Sequence, residues 1–486
     1  MRTIPTLTRS AALAAAILAA CGHARATEHI VSSSGQLSIA LASAVTGDII
    51  TILPSGSPYT QFPGFAFSEK RLTVRGSTGN AADVVLDGAA LDRVLMISGA
   101  GADGSVIRDV TIQNGRGPAT ANASGAGIHI SNADVAIESC IIRNNHVPAT
   151  DGNGAGLYAT GVSILTVRGT VFEGNTLGAG GDGAGVHLVS CPTAFVDCHF
   201  LDNIAEATLT NEDSLGGGAY IDGVGNTTFS RCTFAGNKAE FGGGLLVSVS
   251  ATVTVDACRL EGNTARYGAG LALTSIAGTA SIRNSLIVGN TALVNDCAIR
   301  ADRPLTVVNC TITGNTATGN YIIGSAAADR RVVVVDNSVI WGNTASGGIS
   351  PITTTNAPII RRCLVQTAYT VANGSGFNTV ANPMFANAGA GDYRPLAGSP
   401  AIDAGDTLLY FGSLADYDGN PRGVDFASAP NTGVAPFGPV IDIGAFEAQN
   451  QVSSACYANC DQSTTPPVLN VADFGCFLTK YAAGCP

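Results

Sequence analysis

Four ring-bearing residues, His129, Tyr158, His187 and Tyr220, recur at intervals of 29, 29 and 33 positions. Each directly follows a stretch of the form Gly-x-Gly-apolar, such as Gly154-Ala-Gly-Leu157 or Gly183-Ala-Gly-Val186. A histidine and tyrosine pair, His187 with Tyr158, can remove the C5 proton of a uronic acid polymer and protonate the departing oxygen, which is β-elimination. The same rings can instead grip a polysaccharide through ring contacts and hydroxyl hydrogen bonds, without cleaving it. Around them stand Arg116, His146, Asp151, Asp182, Glu206, Glu212 and Asp213. Asp151, Asp182 and Asp213 carry the oxygen chemistry of calcium ligands. The structural reading is that outward rings cover backbone while acids in glycine-rich loops cap turns. Neither the paired carboxylates of glycoside hydrolysis nor a nucleophile motif is legible. The Gly-x-Gly stretches do not open a helix after a single strand, so a nucleotide site is excluded. Non-catalytic binding leads, and a lyase is the alternative.

The elements that place these rings come from a repeat of roughly 25 to 34 residues. Its clearest part reads Cys140-Ile-Ile-Arg-Asn-Asn145, Thr170-Val-Phe-Glu-Gly-Asn175, Cys198-His-Phe-Leu-Asp-Asn203 and Cys232-Thr-Phe-Ala-Gly-Asn237, and continues through Asn263, Asn290, Asn315 and Asn343. A large apolar residue precedes each Asn by three places, with free variation on either side. That alternation is a strand with one buried face. One unit cannot cover that face alone, so copies must stack in parallel. The expected fold is all-β, a right-handed parallel β-helix, with the Asn residues aligned in one ladder. Cys140, Cys198, Cys232, Cys258, Cys310 and Cys363 share a column with Thr170, Ser285 and Ser338, which asks for small buried side chains, not bridges; a Cys232–Cys258 disulfide is the competing possibility. From Ile128 to Asn145 there are 17 positions and from Leu271 to Asn290 there are 19, whereas the gap from Asn to the next Gly swings from 7 to 15. Insertions therefore leave at one corner of the coil, beside the ring-bearing strand, where solenoids place binding.

Thirty-six acidic and 25 basic residues give a net charge of −11. That repels phosphate backbones and excludes nucleic acid as a partner. At the start, Arg2 and Arg9 precede the apolar run Ala11–Ala20, and Ala24-Arg25-Ala26 fits a signal-peptidase site, so 1–26 reads as an export signal. Leu18-Ala19-Ala20-Cys21 also fits lipoprotein processing at Cys21. No later stretch is apolar enough for a transmembrane segment, so the chain is expected outside the cell or on its surface. Residues 27–60 read as a cap, with a helix over 35–45 and a first strand over 47–53, and 61–385 as the coil.

The signatures Phe172-Glu-Gly-Asn175, Phe200-Leu-Asp-Asn203 and Phe234-Ala-Gly-Asn237, with triplets such as Gly217-Gly-Ala219, resemble polymorphic outer-membrane protein repeats and the wider group of secreted right-handed β-helix proteins, over approximately residues 60–370. The resemblance implies the fold and an adhesin-like role. The C-terminal membrane barrel of those proteins has no counterpart here. Tyr393-Arg-Pro-Leu-Ala-Gly-Ser-Pro-Ala-Ile-Asp-Ala-Gly405, Asp416-Tyr-Asp-Gly-Asn-Pro-Arg422 and Asp442-Ile-Gly-Ala-Phe-Glu447 resemble a choice-of-anchor Q region, read as a loop-rich terminal cap over 386–449. Its Asp403, Asp406, Asp418 and Asp442 read as caps of turn amides, with calcium the lesser reading. Beyond a linker at 450–454, the tail resembles single-unit dockerin-like anchors of planctomycete-type bacteria. That implies calcium ligands at Asp461, Ser463, Thr465, Asn470 and Asp473, although Pro466-Pro467 stands in place of the usual Gly. Cys456, Cys460, Cys476 and Cys485 suggest a disulfide-stapled module with three pairings open. The expected partner is an extracellular or cell-wall polysaccharide, or an envelope protein that holds the tail.

Overall fold

The computed structural model describes residues 26–449, except 119, 121–122, 206–213, 249–251, 275–277, 295–296, 320, 325–332, 346–358, 367–375 and 411–413. The expected signal (1–26, with Cys21) and the whole anchor module, with its calcium and cysteine residues, lie almost wholly outside that range. The chain winds as a parallel β-solenoid. In one turn it passes through Val135–Glu138, Ile141–Arg143, His146–Val147 and Leu157–Thr160. Each strand pairs in parallel with its equivalents above and below, making, among the described residues, sheets of 13, 13, 8 and 10 strands, called here first to fourth in that order. Registers are in phase: Ile137 lies opposite Val167, Ile142 opposite Phe172, and His129 opposite Tyr158. Like residues therefore lie over like, turn after turn.

Side-chain chemistry explains why the turns stay in register. Each Asn of the column from Asn145 to Asn315 sends its Nδ2 to the Oδ1 of the next, ending at Asn343, at 2.9–3.0 Å. Asn203 Nδ2 also donates to the Phe172 carbonyl (2.9 Å), and its Oδ1 accepts the Asn175 backbone N–H (3.1 Å). Every polar atom of this fully buried side chain thus has a partner. Inside the coil the apolar columns interlock; Phe200 stacks on Phe172 and Phe234, with ring centroids 5.2 and 4.4 Å away. The cysteine column is buried and reduced. Cys258 N donates to Ser285 Oγ (3.0 Å) and Cys310 N to Ser338 Oγ (3.1 Å), while Cys232 N meets Cys258 Sγ at 3.3 Å without a bridge. Burial pushes the Cys140 and Cys310 thiols up to about 12, so neither forms the thiolate that oxidation needs.

Two ends differ from expectation. The helix is present, Ser34–Ser43, capped by Ser33 accepting from Gln36 N, with Leu37, Ala40 and Leu41 inward. The first strand is Glu28–Val31, which pairs with Ile49–Ile52, so stacking begins one strand earlier than 47–53. The larger difference is the C-terminal segment. It does not sit over the coil as a terminal lid; it runs along the flank, against the outward face of the second sheet. Leu286 and Val288 pack there against Ala445 and Phe446, and Val339 and Leu364 against Ala401, Ala404 and Ile443. Three asparagines at the turn between the first and second sheets hold it. Asn309 Nδ2 donates to Asp442 O (2.9 Å), Asn337 exchanges two hydrogen bonds with the Asp406 backbone, and Asn284 Oδ1 accepts from Arg422 Nε (2.9 Å). Its carboxylates do cap turn amides: Asp442 takes the N–H groups of Asp403 and Ala448, and Asp406 that of Leu408. Among the described residues no helix is long and apolar enough to cross a membrane.

Candidate functional site

The long insertions leave between the third and fourth sheets, and the left-handed glycines decide what they lay over the fourth sheet. Gly183 has φ +66°, and a Cβ there would meet His187 Cβ at 2.7 Å. The chain thus doubles back so that the residue before this glycine lies over the outward face of the strand that follows. Isolated bridges align these preceding residues into a column of their own: Ser124, Asn153, Asp182, Leu215 and Phe241. Beside it runs the column of His129, Tyr158, His187 and Tyr220.

The four rings touch in series. Centroids are 5.3 Å apart for His129–Tyr158, 5.5 Å for Tyr158–His187 and 4.7 Å for His187–Tyr220. Their depth differs. His129 and Tyr158 are half-buried, whereas His187 is 4 % and Tyr220 6 % exposed. Sequence gives a side chain's direction but not its cover, so the outward orientation alone could not reveal this. Tyr220 is pinned: its hydroxyl meets Ser248 Oγ (2.9 Å), which donates to Asp222 Oδ1 (2.9 Å). His129 Nδ1 meets Ser124 Oγ at 3.3 Å. Both nitrogens of His187 are buried without a partner. Burial pushes the His187 imidazole down to about 4, and pushes the Tyr158 hydroxyl upward.

A neutral, covered His187 makes a poor proton carrier, and it also makes the coil acid-sensitive. The unfolded imidazole takes its proton near 6.5 and the folded one only near 4, so its contribution to stability is whole above that range and drains away as pH falls through it. The full loss is on the order of 3 kcal/mol. His187→Phe keeps a ring and removes the titration; melting temperatures compared at neutral and acid pH are expected to fall less for the variant than for the wild type.

Of the acids, Asp151 and Asp182 stand in different columns. Asp151 is exposed and stands over Gly180 of the next turn, with its Oδ1 2.6 Å from where a Gly180 Cβ would be. Asp182 belongs to the other column, bridged to Asn153. Asp213 lies outside the described residues, as do Glu206 and Glu212. Among the described residues no three His, Cys, Asp or Glu side chains are grouped to hold a metal ion. His146 Nδ1 meets Thr176 Oγ1 (2.8 Å), and Arg116 is exposed.

Two further rings extend the stripe. Where the first column changes to Leu246 and Ala272, the second becomes aromatic, with Phe241 and Tyr267 stacked at 4.5 Å and 24°. Arg300 lies over both rings at 5.6 and 5.3 Å. The signal was present as Phe241-Gly and Tyr267-Gly, one place before the glycines that mark the repeat. Rings thus line six successive turns of one face.

The model of a right-handed β-helix region matches residues 93–365. Solved structures that are similar include two of polysaccharide-modifying enzymes. A mannuronic acid specific polysaccharide family 6 lyase from human gut microbiota is 12 % identical, covers 70 % of this chain and 86 % of its own, and has a TM-score of 0.33. The A-module of the Azotobacter vinelandii mannuronan C-5 epimerase AlgE6 is 12 % identical, covers 66 % and 96 %, and has a TM-score of 0.20. At that identity and superposition, neither says what this chain binds. No curated protein matches the chain.

Proposed function

This chain belongs to the right-handed β-helix family, and from that premise we propose that it is an exported, non-catalytic binding protein that lays a polysaccharide along its fourth sheet. The observation that carries this reading is the continuous ring stripe, with Tyr158 and His129 half-exposed and the covered His187 and Tyr220 continuing the column on the next two turns. The half-exposed His129 and Tyr158 rings offer a sugar chain apolar surface, and the adjacent Ser131 offers a hydroxyl partner. Asp182 and Asp222 flank the stripe, and the chain carries net charge −11. Both favour an uncharged or amino-bearing glycan over a uronic acid polymer. Lyase chemistry, the alternative, would need His187 or Tyr158 to exchange protons with substrate. Burial keeps His187 from substrate and holds the Tyr158 phenol protonated. Export through 1–26 and attachment through a calcium-dependent or disulfide-stapled tail complete the proposal; both rest on the sequence.

The test is a glycan array on the full chain, with and without calcium. Tyr158→Ala is expected to weaken retention of the best neutral glycan roughly tenfold, the value of one lost stacking contact. Retention unchanged by that variant rejects the stripe. Ultraviolet-absorbing unsaturated uronides released from acidic polysaccharides would instead establish the lyase.

A further inference from the structure

The flanking segment closes around an imbalance of charge. Asp403, Asp416, Asp442 and Glu447 are all buried, and Arg422 is the cation buried with them. Three of the four carboxylates have both oxygens filled by N–H donors. Glu447 accepts from Gly423 and Val424 on Oε1, and from Asp442 N (3.0 Å) and Arg422 Nη1 (3.4 Å) on Oε2. Asp442 accepts from Asp403 and Ala448, and Asp416 from Asn420 and Glu447. Those N–H donors favour the ionised form, against the burial that opposes it. Asp403 differs. Its Oδ2 accepts only Phe426 N (3.1 Å), and its Oδ1 is buried with no donor. A buried oxygen without a donor is tolerable in a neutral carboxyl and costly in an anion. Asp425 also faces Asp403. From the coil, Asn309, Asn337 and Thr311 bring no charge. Of the charged groups at those turns, Asp336 pairs with Arg361 (2.7 Å) and Asp256 with Arg283 (3.1 Å), Arg362 donates to the Thr432 carbonyl (3.3 Å), and Asp406 stands at the edge.

We propose that residues 401–449 are a proton-held latch: Asp403 keeps its proton while the segment covers the flank, and losing it as pH rises releases the segment and bares Leu286, Val288, Val339, Trp341 and Leu364. Burial, then the Asp425 charge, pushes the Asp403 carboxyl above its usual range; burial and Glu447 push Asp442 the same way. A carboxyl that binds its proton more tightly in the closed form stabilises closure at low pH and loses that contribution as pH rises. Opening then gains about tenfold per pH unit for each proton released. This reading is independent of glycan binding.

Trp341 is the single tryptophan of the chain, and it packs beside Val339 and Leu364 under the segment. Acrylamide quenching of its fluorescence, measured on the full chain from about pH 5 to about pH 10, reads the latch directly, with far-ultraviolet dichroism reporting the coil. Quenching is expected to climb with pH while the coil persists, and to stay at its low-pH level in Asp403→Asn, whose amide copies the neutral acid. Should that variant fail to fold, wild-type hydrogen exchange corrected for intrinsic rate must rise with pH in 401–449 and not in the coil. Flat quenching, the same climb in the variant, or opening towards acid overturns the proposal, the last because it would mean four ionised carboxylates in the closed form.

Discussion

Asn203→Ala is expected to destabilise the coil by about 3–5 kcal/mol, far more than its small change in volume suggests. The variant removes the acceptor of Asn175 Nδ2 and of the Asn175 backbone N–H, the donor to Phe172 O, and the donor to Asn237 Oδ1. All these atoms are buried, and no water can reach them. An orphaned buried donor or acceptor costs roughly 1–3 kcal/mol, and relaxation recovers part of the sum. Because each turn contacts only its neighbours, the damage should appear as a weak interface between two halves of the stack. Urea unfolding followed by dichroism is expected to shift to lower denaturant and to split into two transitions. Glu173→Ala, exposed and one turn away, is the control and should stay within about 0.5 kcal/mol. Equal losses for the two would mean that the ladder contributes nothing beyond backbone pairing.

That column was legible because its chemistry repeats at one place in every unit: Asn for the ladder, Cys, Ser or Thr for the small buried site, one large apolar residue between. The ring column was legible for the same reason, as was the corner where insertions leave. What sequence periodicity could not give was depth. His129 and His187 occupy the same position, yet the first is half-buried and the second fully covered, because cover depends on what the preceding left-handed glycine folds across each strand. The flanking segment was misplaced for a different reason, although the chain carried the clue. In Arg259–Glu261 the positions on either side of the inward residue are charged, but in Leu286–Val288 and Val339–Trp341 all three are apolar. A strand apolar on both faces must be covered on both. The turn position before it changes in step, from Asp197, Arg231 and Ala257 to Asn284, Asn309 and Asn337, all of which bind the segment.

The same contacts make Arg422 the residue on which the flank depends. Arg422→Ala is expected to cost the segment about 3–5 kcal/mol, the range for breaking a buried ion pair from one side. The guanidinium donates to Asn284 Oδ1 (2.9 Å), Gly444 O (3.0 Å) and Ala445 O (2.8 Å), and partners Glu447. Without it, Glu447 loses its cation and two carbonyls lose a donor. The coil loses little, since its sheets hold their own ladders beneath. Release should therefore be local. Limited proteolysis at neutral pH is expected to cut within 401–449 in the variant and spare the coil, while Trp341 becomes quenchable. Arg422→Lys restores the charge but not the planar fork, so it should recover part of the protection. Cooperative melting of the whole coil in Arg422→Ala would show instead that the segment and the last turns are one folding unit, and that the flank is structural support and not a separable cover.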